Sequence, residues 1–165
     1  MSKAAATRLN ILQMAFGLIY RKGYQATSID DIIATTQVTK GAFFYHFKNK
    51  EEMGLAMINE IMQPGMITAM VTPLSNAKDP VNELYAMMKG LLQSPMFDVR
   101  YGCPAVNLIE EMSPLNVQFN KALQRLFAEW TDAIKNAVRQ GMQLGHLHQD
   151  TDPQQVAYFI ISGYS

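Results

Sequence analysis

Residues 28–47, SIDDIIATTQVTKGAFFYHF, decide how this 165-residue chain is read. Ser28 with Asp31 three positions later has the spacing of a capping box, which starts a short helix near Ile29. Ile29, Ile32 and Ile33 form its buried stripe. Gln37 and Val38 interrupt it, and Thr39 is placed to cap a second short helix running to Phe47. Phe43 and Phe47 are four apart, so they share a face and belong in the core beneath that helix. Lys40, Phe44 and Tyr45 point outward, and Gly41 and Ala42 are small enough to let the backbone come close to a partner. Two short helices joined by a turn, the second with small and basic residues at its N-terminal end, have the grammar of a helix-turn-helix. In that motif the N-terminal end of the second helix reaches base edges in the major groove.

The flanking sequence is helical too. Leu12, Ala15, Phe16 and Ile19 recur at helical spacing over 4–22, and Gly23 is a natural C-terminal stop. A fourth helix is expected from Lys50 to about Met62, with Met53, Met57 and Ile61 on one side. Pro64-Gly65 predicts a kink or break there. Asp79-Pro80, Ser113-Pro114 and Asp152-Pro153 each set a capping side chain before a proline suited to the first helical position. They predict helices over about 80–94, 114–144 and 153 to the end. In the longest of these, Phe119, Leu123, Leu126, Trp130, Ile134 and Val138 follow the 3–4 spacing of one apolar face, and Gly145 closes it. No stretch alternates like a strand, so the fold class is all-α.

Composition agrees with an ordinary globular protein: 48% of residues are hydrophobic and 17% charged. The single cysteine excludes an internal disulfide framework and any multi-cysteine metal site. The polar start, MSKAAATRLN, is unlike a secretory leader, and no apolar run approaches the ~18–20 residues of a membrane span. A cytoplasmic location is the expectation. The net charge of zero hides a division. Residues 1–50 carry seven basic side chains against Asp30 and Asp31, a balance of +5, and the remainder carries −5. A basic head on an acidic body suggests that only the head meets a polyanion.

Read as a whole, GYQATSIDDIIATTQVTKGAFFYHFKNKEEM strongly resembles the DNA-binding domain of the TetR/AcrR family of bacterial transcriptional regulators, over residues 8–62. Its most specific part is Lys40-Gly41, then Phe44-Tyr45-His46-Phe47, then Lys50-Glu51. Gln37 stands where the family commonly has a glycine. The resemblance implies that Ser28, Thr39, Tyr45, His46 and Lys50 touch phosphates and that Lys40, Gly41, Ala42 and Phe44 approach bases. Such a division sets register with the first group and sequence preference with the second. Farther on, GCPAVNLIEEMSPL at 102–115, the long helix with Trp130, and GHLHQDTDP at 145–153 resemble the ligand-binding domain of one subgroup. The implied architecture is an N-terminal three-helix helix-turn-helix domain, 1–50, and a C-terminal helical effector-binding and dimerisation domain, 51–165. Such domains usually add a further long helix after the one near Pro153, so the second domain reads as truncated at its C-terminus. The implied partners are double-stranded operator DNA, a small-molecule effector and a second copy of the chain. The implied function is a repressor released from a palindromic operator by a hydrophobic molecule, with no cofactor.

The second half holds further candidates. Nine of the twelve methionines (53, 57, 62, 66, 70, 87, 88, 96 and 112) lie between 53 and 112. Methionine repacks easily and suits an adaptable apolar pocket, although single methionines are ordinary core fillers. With the aromatic residues nearby in the pattern, Met57, Met66, Met70, Met88, Tyr101, Cys103, Met112 and Trp130 are the expected lining. Cys103, between Gly102 and Pro104 ahead of a helix, is either a reactive thiol of lowered pKa or a small buried side chain. The reactive reading makes the protein an electrophile or redox sensor, or an all-α enzyme using Cys103 with His146 or His148. His146 and His148 could contribute to a metal site but fit a solvated loop better. Glu110 and Glu111 are adjacent on a helix, so they diverge by about 100° and do not face each other as a catalytic pair. No nucleophile–base–orienter set stands out, and no catalytic or metal residue is assigned.

Overall fold

The computed structural model describes residues 2–75, 77–94 and 97–164, and all regular structure among them is helical. In chain order the helices are α1 (Lys3–Lys22), α2 (Ile29–Thr36), α3 (Lys40–His46), α4 (Lys50–Met57), α5 (Gln63–Met66) and α6 (Thr72–Ser75). Then come α7 (Pro80–Gln93), α8 (Pro104–Met112), α9 (Val117–Gln143) and α10 (Pro153–Ser162). Wider π-helical turns, Ile58–Met62 and Ile67–Val71, lie either side of α5. The chain divides into two compact units, residues 1–63 with 107–123, and residues 64–106 with 124–165.

In the first unit the local signals act as read. Gly23 closes α1 at φ +88, a backbone conformation that side chains resist, and its N–H bonds to the Ile19 carbonyl at 2.8 Å. The Ser28 hydroxyl accepts the Asp31 N–H at 3.0 Å while the Asp31 carboxylate accepts the Ser28 N–H at 2.9 Å, so the capping box is complete. The Ser28 N–H first, and then the Ser28 hydroxyl donating to the same carboxylate at 2.7 Å, hold the Asp31 carboxyl below its ordinary pKa. Phe43 and Phe47 are buried with Ile11, Leu12, Ala15, Ile32, Met53 and Met57. Phe119 and Gly54 complete this core: a Cβ on Gly54 would lie 2.6 Å from the Phe119 ring and 2.7 Å from that of Tyr24. Because 51–63 and 107–123 pack here, the first unit reaches beyond the expected boundary at residue 50.

The second unit is centred on α9, whose Trp130, Ile134, Ala137 and Val138 are buried with Leu84, Met87, Ala157 and Ile160. Tyr164 packs its ring 6.1 Å from Trp130 and donates its hydroxyl to the Met88 carbonyl at 2.7 Å. Asp79 and Asp152 cap α7 and α10, each with proline next in line.

One sequence expectation fails, and of the kink or break expected at Pro64-Gly65 the break does not occur. Pro64-Gly65 does not end the helix; α5 includes both residues. Proline has no N–H for the Glu60 carbonyl and crowds it, and the preceding π turn, with Gln63 N–H bonded to Ile58, widens the coil there. Ser113-Pro114 does not start α9 either. These residues lie in a turn after α8, and Asn116 caps α9 by accepting the Gln118 and Phe119 N–H groups at 2.8 and 3.1 Å.

Candidate nucleic-acid interface

The surface of interest is built on α3. Thr39 accepts the Ala42 N–H at 3.1 Å, starting the helix and leaving its own O–H as a donor. Beneath, the Phe43 ring meets Phe47 at 5.7 Å and the edge of Phe44 at 5.4 Å. The far end of α3 is anchored by Arg8. Its guanidinium lies 4.4 Å over the Phe47 ring and donates to the His46 carbonyl at 3.1 Å and to the Glu60 carboxylate. With its underside fixed, the helix shows Phe44 and Tyr45 outward at 44% and 78% exposure. Lys40 and Gly41 are exposed beside them; Ala42 and His46 are half-buried. Lys40 Nζ stands 3.5 Å from the Asp30 carboxylate, an exposed pair of small energy that a stronger anion can displace.

Gly41 has no packing reason to be glycine. A Cβ there would meet only Thr39 Oγ1, at 3.9 Å, and its φ is not in the left-handed region.

Two expected phosphate contacts are already engaged. The Ser28 hydroxyl donates to the Asp31 carboxylate at 2.7 Å, so a phosphate at Ser28 would displace that bond beside a negative charge. The Lys50 ammonium lies 4.3 Å over the Tyr24 ring and 3.5 Å from the Gln25 carbonyl. Burial lowers its pKa and the charge of Glu111 opposes that shift. Glu111 in turn accepts the Tyr24 and Gln25 N–H groups at 2.8 and 2.7 Å. Tyr24, packed beneath Lys50 and beside Phe119 and Gly54, is pushed up to about 12, first by burial. Arg8, Tyr24 and the clamping role of Glu111 escaped the sequence reading. Glu111 acts 86 residues from Gln25, and no local pattern encodes such a bond.

The expected effector residues divide between the units. Met57 and Met112 are buried in the first; Met66, Met70, Met88, Tyr101, Cys103 and Trp130 belong to the second. Met96 lies outside the described residues. In the second unit an open groove of about 550 Å³ runs between Ile67, Val71 and Leu74 on one side and Glu129, Ala133 and Asn136 on α9, and none of the eight expected residues lines it. Trp130 is buried with its indole N–H unpartnered. The Cys103 thiol is buried and its pKa is raised: desolvation outweighs the Val106 and Ala105 amides that favour the thiolate. Of the two readings of Cys103, this burial fits the small buried side chain. His146 and His148 sit by Asp79 and Asp150 at 3.5 and 3.0 Å, and no group of three potential ligands forms among the described residues. Among those residues, too, no helix is long and apolar enough to cross a membrane.

Residues 11–57 match the model of bacterial regulatory proteins of the tetR family, and residues 80–165 match that of the tetracyclin repressor-like C-terminal domain. The chain belongs to the TetR family. Members of this family are ligand-responsive, DNA-binding transcriptional repressors with a helix-turn-helix domain. This TetR-family regulator is 35% identical over 130 residues to an uncharacterized HTH-type transcriptional regulator in the lacX 3' region of Lactococcus lactis. That match covers 74% of this chain but only 63% of the Lactococcus protein. It is 26% identical to the HTH-type transcriptional repressor DhaR of a Mycobacterium species, over 95% of this chain and 78% of that one. In structure it resembles a TetR transcriptional regulator of Chloroflexus aurantiacus, with a TM-score of 0.84 and 26% identity, over 98% of this chain and 82% of that one.

Proposed function

We propose that this TetR-family chain is a repressor that binds a palindromic operator as a homodimer and leaves it when a hydrophobic small molecule binds. The observation that carries the reading is α3: a floor sealed by Phe43, Phe47 and Arg8, and an outer face of Lys40, Gly41, Phe44 and Tyr45 open to solvent. Lys40 is suited to guanine O6 or N7 and the Phe44 ring to a thymine methyl. Tyr45, Thr39 and His46 then serve phosphates, with Lys50 donating from its seat over Tyr24 and Ser28 joining once Asp31 releases it. The protein acts by binding, not turnover, in the cytoplasm where its operator lies.

The +5 head supports contact with a polyanion, and the repressor name of the Mycobacterium relative supports the direction of control. For the effector, the second unit offers the apolar-sided groove and the orphan indole N–H of Trp130, since a buried donor without an acceptor is uncommon. A ligand shifts occupancy only through unequal affinity for the bound and released forms, and a 100-fold release needs about 2.7 kcal/mol of coupling.

Gly41→Ala tests the reading. The site has room for the methyl, so the variant folds at least as stably as the parent, alanine being favoured over glycine in a helix by up to about 1 kcal/mol. Yet the methyl stands on the DNA face, and affinity for the duplex selected from a random library falls tenfold or more. Wild-type affinity in the variant, or no duplex enriched by the parent, rejects the proposed interface.

A further inference from the structure

We propose that Glu111 is a positioning residue for operator binding: its carboxylate clamps the turn between α1 and α2 and so sets the helix-turn-helix in its DNA-ready form. The inference rests on the DNA-binding reading above and adds a residue that touches no DNA. The turn at 23–27 has no internal ladder to hold it, being bound within itself by the Thr27 N–H to Tyr24 carbonyl bond at 3.2 Å and the Thr27 hydroxyl to Gly23 carbonyl bond at 2.8 Å. The Tyr24 and Gln25 amides find their partner outside. Both Glu111 oxygens are used, one on Tyr24 N–H and one on Gln25 N–H, at 2.8 and 2.7 Å. Bonds from neutral amides to a carboxylate are about twice as strong as those to a neutral acceptor. The same carboxylate stands 3.3 Å from where a Gly23 Cβ would be, so it fills the space the glycine leaves.

The turn opens directly onto the Ser28 cap of α2, and its Tyr24 ring and Gln25 carbonyl seat the Lys50 ammonium at the start of α4. A single carboxylate thus fixes the segment on which α1, α2 and α4 converge. Without it, the turn must be ordered when DNA binds, and that cost is subtracted from affinity. The loss leaves the number of phosphate contacts unchanged, which separates positioning from charge.

The test measures affinity for the duplex selected from a random library, against salt, for the parent, Glu111→Ala and Glu111→Gln, each scaled to its folded fraction by circular dichroism, together with amide exchange at Tyr24 and Gln25. Glu111→Ala is expected to bind about tenfold more weakly with an unchanged salt slope and at least tenfold faster exchange at both amides. Glu111→Gln, which keeps one acceptor oxygen, falls between, and it carries the test alone if the alanine variant does not fold. Parental affinity per folded molecule would overturn the proposal, making Glu111 merely structural. A slope altered by about one would overturn it too, because the carboxylate would then act as a charge at the phosphate surface. If the parent binds no duplex, the DNA reading fails, while the exchange rates still report whether the clamp holds the turn.

Discussion

A single residue can show both how much the sequence discloses and what it conceals. Gln37 sits at φ +57 and ψ 19, closing α2 in the left-handed region, the one described non-glycine residue with positive φ. The position where the family commonly has glycine is thus a real left-handed turn, and the chain bears the cost of a side chain there. That strain is about 1 kcal/mol, and replacement by glycine recovers it less the extra freedom of the unfolded chain. Gln37→Gly should therefore gain about 0.5 kcal/mol in urea unfolding, while Gln37→Val, β-branched, should lose 1 kcal/mol or more. Equal stabilities for all three would mean the turn relaxes out of the left-handed region. The Ser28–Asp31 box and the Gly23 stop were legible because their partners lie within four residues. Lys50 was not. Its identity suits a phosphate contact, but its seat on Tyr24 depends on burial that no window of sequence displays.

At the scale of helices, spacing was the dependable signal and punctuation the ambiguous one. The apolar stripe of α9 is buried at every position named from the pattern, because six residues repeating at 3–4 intervals can share one face only in a helix. Proline after a capping residue gave the right start for α7 and α10 and the wrong one for α9. The pair Ser113-Pro114 also suits the turn that ends a helix, and Asn116 is the better cap because its side chain reaches two amides. The distinction is measurable. Asn116→Ala should cost about 1 kcal/mol as a lost cap. Ser113→Ala should cost nothing or stabilise, since the Ser113 hydroxyl is buried without a partner and its removal relieves an unsatisfied group. The opposite ranking in thermal or urea unfolding would restore Ser113 as the cap. Pro64 teaches the same lesson: a residue that breaks an ideal helix is absorbed where the preceding turn widens.

For the molecule as a whole, the proposed homodimer makes the strongest demand on the surface. A palindromic operator presents two half-sites whose centres are about 34–36 Å apart, and two recognition helices can serve them only if two chains are held together by a two-fold interface. The last described helix bears a face fit for that purpose. Tyr158 and Phe159 on α10 are 60% and 80% exposed, and Gln155 and Ser162 lie along the same side. The opposite side, Ala157 and Ile160, is buried in the second unit, so changes on the outer face leave its core intact. Phe159→Glu places a charge where a partner's apolar surface would close. Sedimentation equilibrium should show the parent as a dimer and the variant as a folded monomer, its melting temperature lowered only by the lost association. Operator affinity should fall by 100-fold or more, since each half-site would then be bound singly without the effective concentration that linkage provides. A variant that stays dimeric moves the interface away from α10. A monomeric parent that still binds a palindrome tightly would remove the homodimer from the proposal and leave the α3 face to account for the affinity unaided.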